Sequence, residues 1–402
     1  MRRIRLGAID VGTTKVCTIM ADSGGASGLR ILGVGITPAE GMHKGMVVDV
    51  NIAKNSIRQS VAQAEQIAGY KLESATIGIT GRHITSTNKQ GAIAITRQDQ
   101  MVRPADLRRV LEVAQSVQIP SENKLLHVIP RTYKVDGQEG VNNPVGMHGF
   151  RLDVETHVIS AAITSIQNMT KCIRGVGIEV DDLVLEPLAS AEAVLTPEEK
   201  LDGVILADIG GGTTDIAVFK DNTAYHTAVL SVAGYQVTRD ISVGLGLSFE
   251  MAEEIKKKYG NVTTADDDGQ EADTKISQEG QTFTYGDLSD IIHMRVEELL
   301  RLITLELPQS NSARLVPAGL VLTGGGACLP GIAEFAEKIT HLPVRVGVPF
   351  GLEGVSDSLQ HPTYATGVGL LLWQLGKDSR PTEAVKETGL PGFGAKLLNF
   401  FK

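Results

Sequence analysis

At 402 residues the chain is too long for one simple core, and its 42% hydrophobic and 21% charged residues are the balance of an ordinary globular protein. A net charge of −9 argues against a nucleic-acid partner, which would call for a basic face. Cys17, Cys172 and Cys328 lie far apart with no CxxC, which excludes a disulfide framework or zinc site and fits a reducing cytosolic compartment.

In chain order, Ile4–Ile9, Val16–Met20 and Leu29–Ile36 read as strands. Asp10 interrupts any apolar run after the basic start, so no signal peptide is read. Asn51–Ala68 carries Ile52, Ile57, Val61, Ala64 and Ile67 at helical spacing, with Asn51 as the expected N-cap. Ala75–Thr80 is a buried strand. Residues 83–162 read as an α/β insertion. It has a strand at Gly91–Ile95, a helix from Arg103 to about Val117, and strands at Lys124–Ile129 and Tyr133–Val135. A turn-rich loop at Asn142–Gly146 and a strand at His157–Ala162 complete it.

A helix at Ser165–Val176, a short strand at Leu183–Val184 and a helix at Glu186–Leu195 follow. After about Thr196 come apolar runs at Gly203–Leu206 and Ile216–Phe219, a strand at Tyr225–Val229, a helical portion from Gly234, and a charged helix at Phe249–Tyr259. The acidic stretch 266–273 lacks EF-hand spacing and reads as a solvated loop. Gly286–Leu307 is an amphipathic helix ended by Pro308. No apolar run reaches the roughly 18 residues that cross a bilayer. Nine histidines without an HxxxH pair read as surface or core residues.

The chemistry concentrates in three glycine turns. Asp208-Ile209-Gly210-Gly211-Gly212-Thr213-Thr214-Asp215 joins two apolar runs, and Asp10-Val11-Gly12-Thr13-Thr14-Lys15 repeats the pattern half a chain earlier. Leu322-Thr323-Gly324-Gly325-Gly326 reads as strand, glycine turn, helix. Bare glycines let the backbone close on a ligand and present several N–H groups at once, an anion nest suited to a polyphosphate. Carboxylates beside phosphates serve a metal ion or a water, since alone they would repel them. Two such hairpins imply two similar lobes holding one nucleotide between them. Glu253 and Lys256 lie three apart on one helical face, either as a surface ion pair or facing the nucleotide.

These turns resemble the actin/Hsp70/sugar-kinase superfamily. Leu185–Ala191 and Tyr364–Leu370 are similar to its two helices that cross between lobes. Val128-Ile129-Pro130-Arg131-Thr132-Tyr133-Lys134-Val135-Asp136, followed by Gly140–Met147, is similar to the extra subdomain of the FtsA family of bacterial cell-division actin homologues. The resemblance runs over essentially the whole chain. It implies an actin-like (ribonuclease H-like) two-lobed α/β ATPase fold with a small α/β subdomain inserted in the first lobe.

The implied division puts 1–82, 163–195 and about 357–375 in the first lobe and 83–162 in the insert. The second lobe divides into 196–226 with 308–356, and 227–307; 376–392 is a linker and 393–402 a terminal helix. The family also implies ATP and Mg²⁺. Gly12, Thr13, Thr14 and Lys15 would hold phosphates from one lobe, and Gly210, Gly211, Gly212 and Thr213 from the other. Gly324, Gly325 and Gly326 would face adenosine, and Glu253 and Lys256 the ribose and base. Asp10 and Asp208 would hold Mg²⁺ or its waters, and Glu186 would orient the attacking water. Turnover is expected to be slow, with nucleotide acting as a polymerisation switch.

On a helix, Phe393, Leu397, Phe400 and Phe401 share a face, with Lys396 and Lys402 elsewhere. A lipid surface with anionic head groups suits such a segment, as does a groove on a partner or on its own domain. The family resemblance implies membrane targeting. It also implies filaments of the chain itself, the FtsZ C-terminal tail as partner near the 286–307 helix (with Arg295 and Lys257 as contacts), later division proteins at the insert, and a septal position on the cytoplasmic face. The alternatives are a sugar-kinase-like phosphotransferase, for which no substrate motif is visible, and a pilus-assembly relative, which lacks a terminal amphipathic helix.

Overall fold

The computed structural model describes residues 4–24, 28–116, 119–263, 272–278, 280–307, 315–354 and 357–378. The chain begins with β1 (Arg5–Val11), β2 (Lys15–Asp22) and β3 (Arg30–Pro38), a small hairpin β4 (Met42–His43) and β5 (Met46–Val47), helix α1 (Val50–Ala68) and β6 (Ser74–Ile79). The insertion holds β7 (Ile84–Ala94), α2 (Pro104–Gln115), β8 (Asn123–Val135), β9 (Gln138–Val141) and β10 (Arg151–Ala162). Next come α3 (Ile163–Arg174), β11 (Glu179–Leu185), α4 (Glu186–Val194) and α5 (Pro197–Asp202). Then follow β12 (Val204–Ile209), β13 (Thr214–Lys220), β14 (Thr223–Leu230), α6 (Gly234–Leu245), α7 (Phe249–Tyr259), β15 (Lys275–Gln278), β16 (Gln281–Thr284) and α8 (Tyr285–Leu305). The last elements are β17 (Leu320–Thr323), a 3₁₀ turn at Gly325–Cys328, α9 (Ile332–Thr340), β18 (Val344–Val346), β19 (Glu353–Gly354) and α10 (Ala365–Asp378).

The repeat seen in the sequence is a repeat of topology. One sheet runs β11-β6-β1-β2-β3-β19 and another β14-β13-β12-β17-β18. In each, an antiparallel meander opens with the glycine hairpin, and the first meander strand takes a parallel neighbour on its other side: β6 beside β1, β17 beside β12. Strands such as β12, buried at every residue, need no alternation, which is why they read as plain apolar runs.

Helices α4 and α10 join the two sheets. Leu188 and Ala189 of α4 and Leu370 and Leu371 of α10 share one core with Leu6 and Ile19 of the first sheet and Leu206 and Ala217 of the second. The helices touch backbone to backbone: a Cβ on Gly369 would lie 1.9 Å from the Ala189 carbonyl oxygen. Helix α4 buries all but one of its residues, so it carries no amphipathic pattern.

The insertion is a separate four-stranded sheet, β7-β10-β8-β9, with α2 packed on it around Leu107, Val110, Leu111, Leu152 and Val154. It is tied to β14 of the second large sheet. Ser86 Oγ donates to the Thr227 carbonyl at 2.7 Å, and Thr223 Oγ1 donates to the Pro130 carbonyl at 2.9 Å. The buried His157 lies between Asn88 Oδ1 (2.8 Å) and Thr227 Oγ1 (2.9 Å). Burial, then His226, pushes its pKa down to about 3, so the ring stays neutral.

Several expectations are corrected. The N-cap of α1 is Asp49, whose carboxylate accepts from the Asn51 and Ile52 amides; Asn51 lies inside the first turn. The strand expected at 91–95 starts at Ile84, because one face of β7 is solvated and its threonines and Lys89 hide the period. The two strands expected at 124–129 and 133–135 are one, β8, which runs through Pro130 beside a register shift against β10. Strand β9 and helix α5 carry no expectation from the sequence. The glycine turn at 324–326 enters a 3₁₀ turn, and α9 begins only at Ile332. Helix α10 continues to Asp378, past the start assigned to the linker at 376. The remainder of that linker, the terminal helix and most of the 266–273 stretch lie outside the described residues.

Candidate functional site

Each glycine hairpin is closed by the same bond. The Gly12 amide donates to the Lys15 carbonyl and the Gly210 amide to the Thr213 carbonyl, both at 2.9 Å. The two turns meet. A Cβ on Gly211 would lie 2.3 Å from Thr14 Cγ2, and one on Gly212 would lie 2.5 Å from Thr13 Oγ1 and 2.9 Å from the Lys44 Cα. Thr13 Oγ1 also accepts from the Gly45 amide at 3.1 Å, so the β4–β5 hairpin caps the junction.

Behind the turns lie four buried carboxylates, Asp10, Glu186, Asp208 and Asp215. Lys15 Nζ is 3.3 Å from Asp10 Oδ2. Burial pulls the Lys15 ammonium down, but the charges around it, Asp10 first, more than compensate and leave it raised. Burial pushes Glu186 well up, and Asp10, Asp215 and Asp208 add to it. Burial also lifts Asp208, against hydroxyls donated by Ser190 (2.6 Å) and Thr366 (3.0 Å). Asp215 rises to about 7, again through burial, although it accepts from the Thr80 hydroxyl. Four acids against one lysine leave an excess of negative charge in a dry site, which a bound cation would offset.

Ser190 lies on α4 and Thr366 on α10, so both crossing helices grip Asp208. The third glycine turn packs on the second hairpin. Gly324 has φ +82°, and a Cβ there would lie 2.3 Å from Asp208 Oδ1. Gly326 sits as close to Ile209 Cγ2.

Helix α6 is seated on the same hairpin, with the Gly234 amide on the Gly210 carbonyl (3.1 Å) and the Tyr235 amide on that of Gly211 (2.7 Å). Lys256 reaches this point from α7, donating to the Gly234 carbonyl (3.3 Å) and Thr238 Oγ1 (2.8 Å), and it pairs with Glu253 at 2.6 Å. The pair thus forms an ion pair and at the same time borders the glycine turn. Gly12–Lys15, Gly210–Thr213, Gly324–Gly326, Asp10, Asp208, Glu186, Glu253 and Lys256 therefore all belong to one region.

Residues 205–369 match the family described as cell division protein FtsA, and residues 81–160 match the SHS2 domain inserted in FtsA. The chain is 42% identical to the cell division protein FtsA of Pseudomonas aeruginosa over 384 residues, 92% of this chain and 89% of that one. The chain belongs to the FtsA family. It is 38% identical to FtsA of Bacillus subtilis, across 90% of this chain and 82% of that one. Among solved structures it is similar to a chain of a PilM–PilN type IV pilus biogenesis complex, with a TM-score of 0.68, 17% identity, and 93% of this chain and 99% of that one covered. It is also similar to MreB5 of Spiroplasma citri bound to ADP, with a TM-score of 0.54, 14% identity, and 93% and 98% covered. At those identities the likeness shows the fold alone. This is an actin-like α/β ATPase fold carrying the SHS2 insert.

Within this FtsA-family fold the two hairpins differ at the residue that closes them opposite the leading aspartate. Register pairs Asp208 with Asp215, but Asp10 with Cys17. Cys17 is fully buried, and burial holds its thiol up at about 12, an inert core group. The reading from sequence left Asp215 out of the site, although it closes the quoted hairpin. It also left out Thr80, Ser190 and Thr366, whose reach depends on how helices and strands cross.

A second concave feature lies between α6 and α8, lined by Arg239, Asp240, Val243, Met294, Arg295 and Glu298 among others. Val243 and Met294 are largely exposed there, and Arg295 pairs with Asp240 and Glu298. Lys257 does not line it; this lysine pairs with Glu253 at 3.2 Å. Among the described residues no group of three or more His, Cys, Asp or Glu is arranged to hold a metal, and no helix is long and apolar enough to cross a membrane.

Proposed function

We propose that this FtsA-family protein binds ATP with Mg²⁺ between its two hairpins. Nucleotide serves chiefly as a switch for filament formation on the cytoplasmic membrane face. There the protein anchors FtsZ and recruits later division proteins through its insert. The observation that carries this reading is the meeting of Thr13 and Thr14 with Gly211 and Gly212 in front of buried Asp10, Asp208, Asp215, Glu186 and Lys15.

The residues fit the cofactor. Any side chain at Gly211 or Gly212 would fill the place where backbone approaches its neighbour, and an anion nest needs that bareness. Gly12–Lys15 and Gly210–Thr213 would hold phosphates, Gly324–Gly326 adenosine, and Glu253 with Lys256 the ribose and base. Asp10 and Asp208 would hold Mg²⁺ or its waters, consistent with a cation that keeps most of its hydration in phosphate sites. Bound Mg²⁺ supplies neutralisation of phosphate charge. Glu186 would orient the attacking water. MreB5 of Spiroplasma citri, solved with ADP and with AMPPNP, shares this fold and supports a nucleotide in the cleft.

The α6–α8 groove, with exposed apolar residues beside Arg239 and Arg295, suits an acidic-apolar peptide such as the FtsZ tail. Membrane attachment rests on Phe393, Leu397, Phe400 and Phe401. So short a helix binds weakly alone, and many copies in a filament supply the avidity. The lobe boundaries assigned from the sequence are part of the same reading. Electron microscopy of anionic lipid monolayers with the full chain and ATP tests it, with filaments expected. Lipid binding unchanged after deletion of residues 393–402 would overturn the tether, and absence of ATP binding would overturn the switch.

A further inference from the structure

The β4–β5 hairpin turns through Lys44 and Gly45 alone, since Met42 pairs with Val47 and His43 with Met46. Both turn residues have positive φ, +47° at Lys44 and +73° at Gly45. That backbone suits the twist of a two-residue hairpin, but a lysine enters it only at a cost in strain. Packing on two sides holds it there. A Cβ on Gly45 would lie 2.9 Å from Thr80 Cγ2, and one on Gly212 of the second glycine hairpin would lie 2.9 Å from the Lys44 Cα. Met42 anchors the base of the hairpin in one core with Ile9 of the first sheet and Ile57 of α1. A strained and well-seated arm from the first sheet's half of the molecule thus reaches over the seam where the glycine turns meet.

His43, an exposed residue, stands on that arm. Its ring meets Tyr235 edge to face, with 5.9 Å between centroids and 88° between planes. Tyr235 belongs to the other half, because α6 shares a core with the second sheet through Val237 and Ile241. The Tyr235 ring also packs on Phe249, the first residue of α7, at 4.9 Å. Its amide is the one that donates to the Gly211 carbonyl. One residue therefore holds the glycine turn by its backbone and, by its ring, both the opposite half and the helix that carries Glu253 and Lys256.

We propose that His43 and Tyr235 form a clasp across the cleft, and that both are positioning residues which set how long a nucleoside triphosphate stays bound. This rests on the reading of the cleft as an ATP site given above. A nucleotide held between the two glycine turns leaves only when the turns part, and parting them separates the His43 ring from the Tyr235 ring. One edge-to-face pair favours the joined state by about twofold to tenfold. The clasp touches no reacting atom; it adds that factor to the closed form, and the factor is read in the release rate.

The test uses the full chain in solution, loaded with a fluorescent ATP and Mg²⁺ and chased with unlabelled ATP by stopped flow. Tyr235→Ala, which loses both ring contacts, should release the probe about tenfold faster than the parent; His43→Ala, which loses one, about threefold faster. Adding His43→Ala to Tyr235→Ala should change nothing further, and Tyr235→Phe, which keeps the ring, should release at the parent rate. Rings that merely fill space would lower the melting temperature in the alanine variants and leave release alone. Parent-like release in Tyr235→Ala, or single effects that multiply in the double variant, would overturn the proposal. A second arm needs no nucleotide. Hydrogen exchange read by mass spectrometry should quicken at residues 233–236 in His43→Ala, because the bond from the Tyr235 amide to Gly211 would open more often. Unchanged exchange there also counts against the clasp. If the parent protein binds no ATP, the reading of the cleft fails, and the exchange arm still decides whether the two halves are clasped.

Discussion

Asp215→Asn isolates what the apo protein loses by keeping a carboxylate in its cleft. Burial, with Asp208 and Asp10 adding to it, lifts the Asp215 carboxyl from 3.8 to about 7. The unfolded chain releases that proton at the lower value and the folded chain at the higher one. Between the two the folded state binds more protons, so stability falls as pH rises, and the full penalty stands above about pH 7. At about 1.4 kcal/mol per pH unit, the window from 3.8 to about 7 amounts to about 4 kcal/mol. Asparagine has the same shape, keeps an acceptor for the Thr80 hydroxyl and never ionises. Urea unfolding of both proteins in EDTA without nucleotide, followed by far-UV circular dichroism, should show the variant gaining on the parent by up to about 4 kcal/mol between about pH 4 and about pH 8. Saturating Mg²⁺ and ATP should shrink that gap. A constant difference across the range would refute the reasoning, since the carboxylate would then be solvated or already compensated.

Gly211→Ala sets a methyl against Thr14 Cγ2 and should lower fluorescent-ATP affinity about tenfold or more; adding Thr14→Ser, which removes that Cγ2 and keeps the hydroxyl, should restore much of it. Gly369→Val drives a side chain into the Ala189 carbonyl and should destabilise the fold by about 1–3 kcal/mol in urea titration, with no pH dependence. Arg295→Glu should weaken binding of an FtsZ C-terminal tail peptide about tenfold by fluorescence anisotropy, whereas Lys257→Glu, outside the groove, should leave it unchanged.

The hairpins were legible because an Asp-led glycine turn between apolar runs is local chemistry, and its recurrence gives away the doubled topology. Helices α1, α7 and α8 were legible from their spacing. Strand β7 was not, because a solvated face carries polar residues at the positions that would mark a period. The grip of Ser190 and Thr366 on Asp208 was hidden for another reason. Residues 158 and 18 positions from Asp208 become neighbours only through the crossing of α4 and α10, which no local pattern encodes. His43 read as an ordinary surface or core histidine because its ring partner, Tyr235, is remote in sequence.

Ser86, Thr223 and His157 come from different stretches of chain, yet their bonds make the SHS2 sheet a bracket fastened along β14. A hinge motion that swung one large sheet against the other would have to tear those fastenings or drag the bracket along. Movement at the nucleotide would then be mechanically geared to the orientation of the SHS2 surface, so that a protein gripping that surface would feel, and could in turn brake, the closing of the jaws.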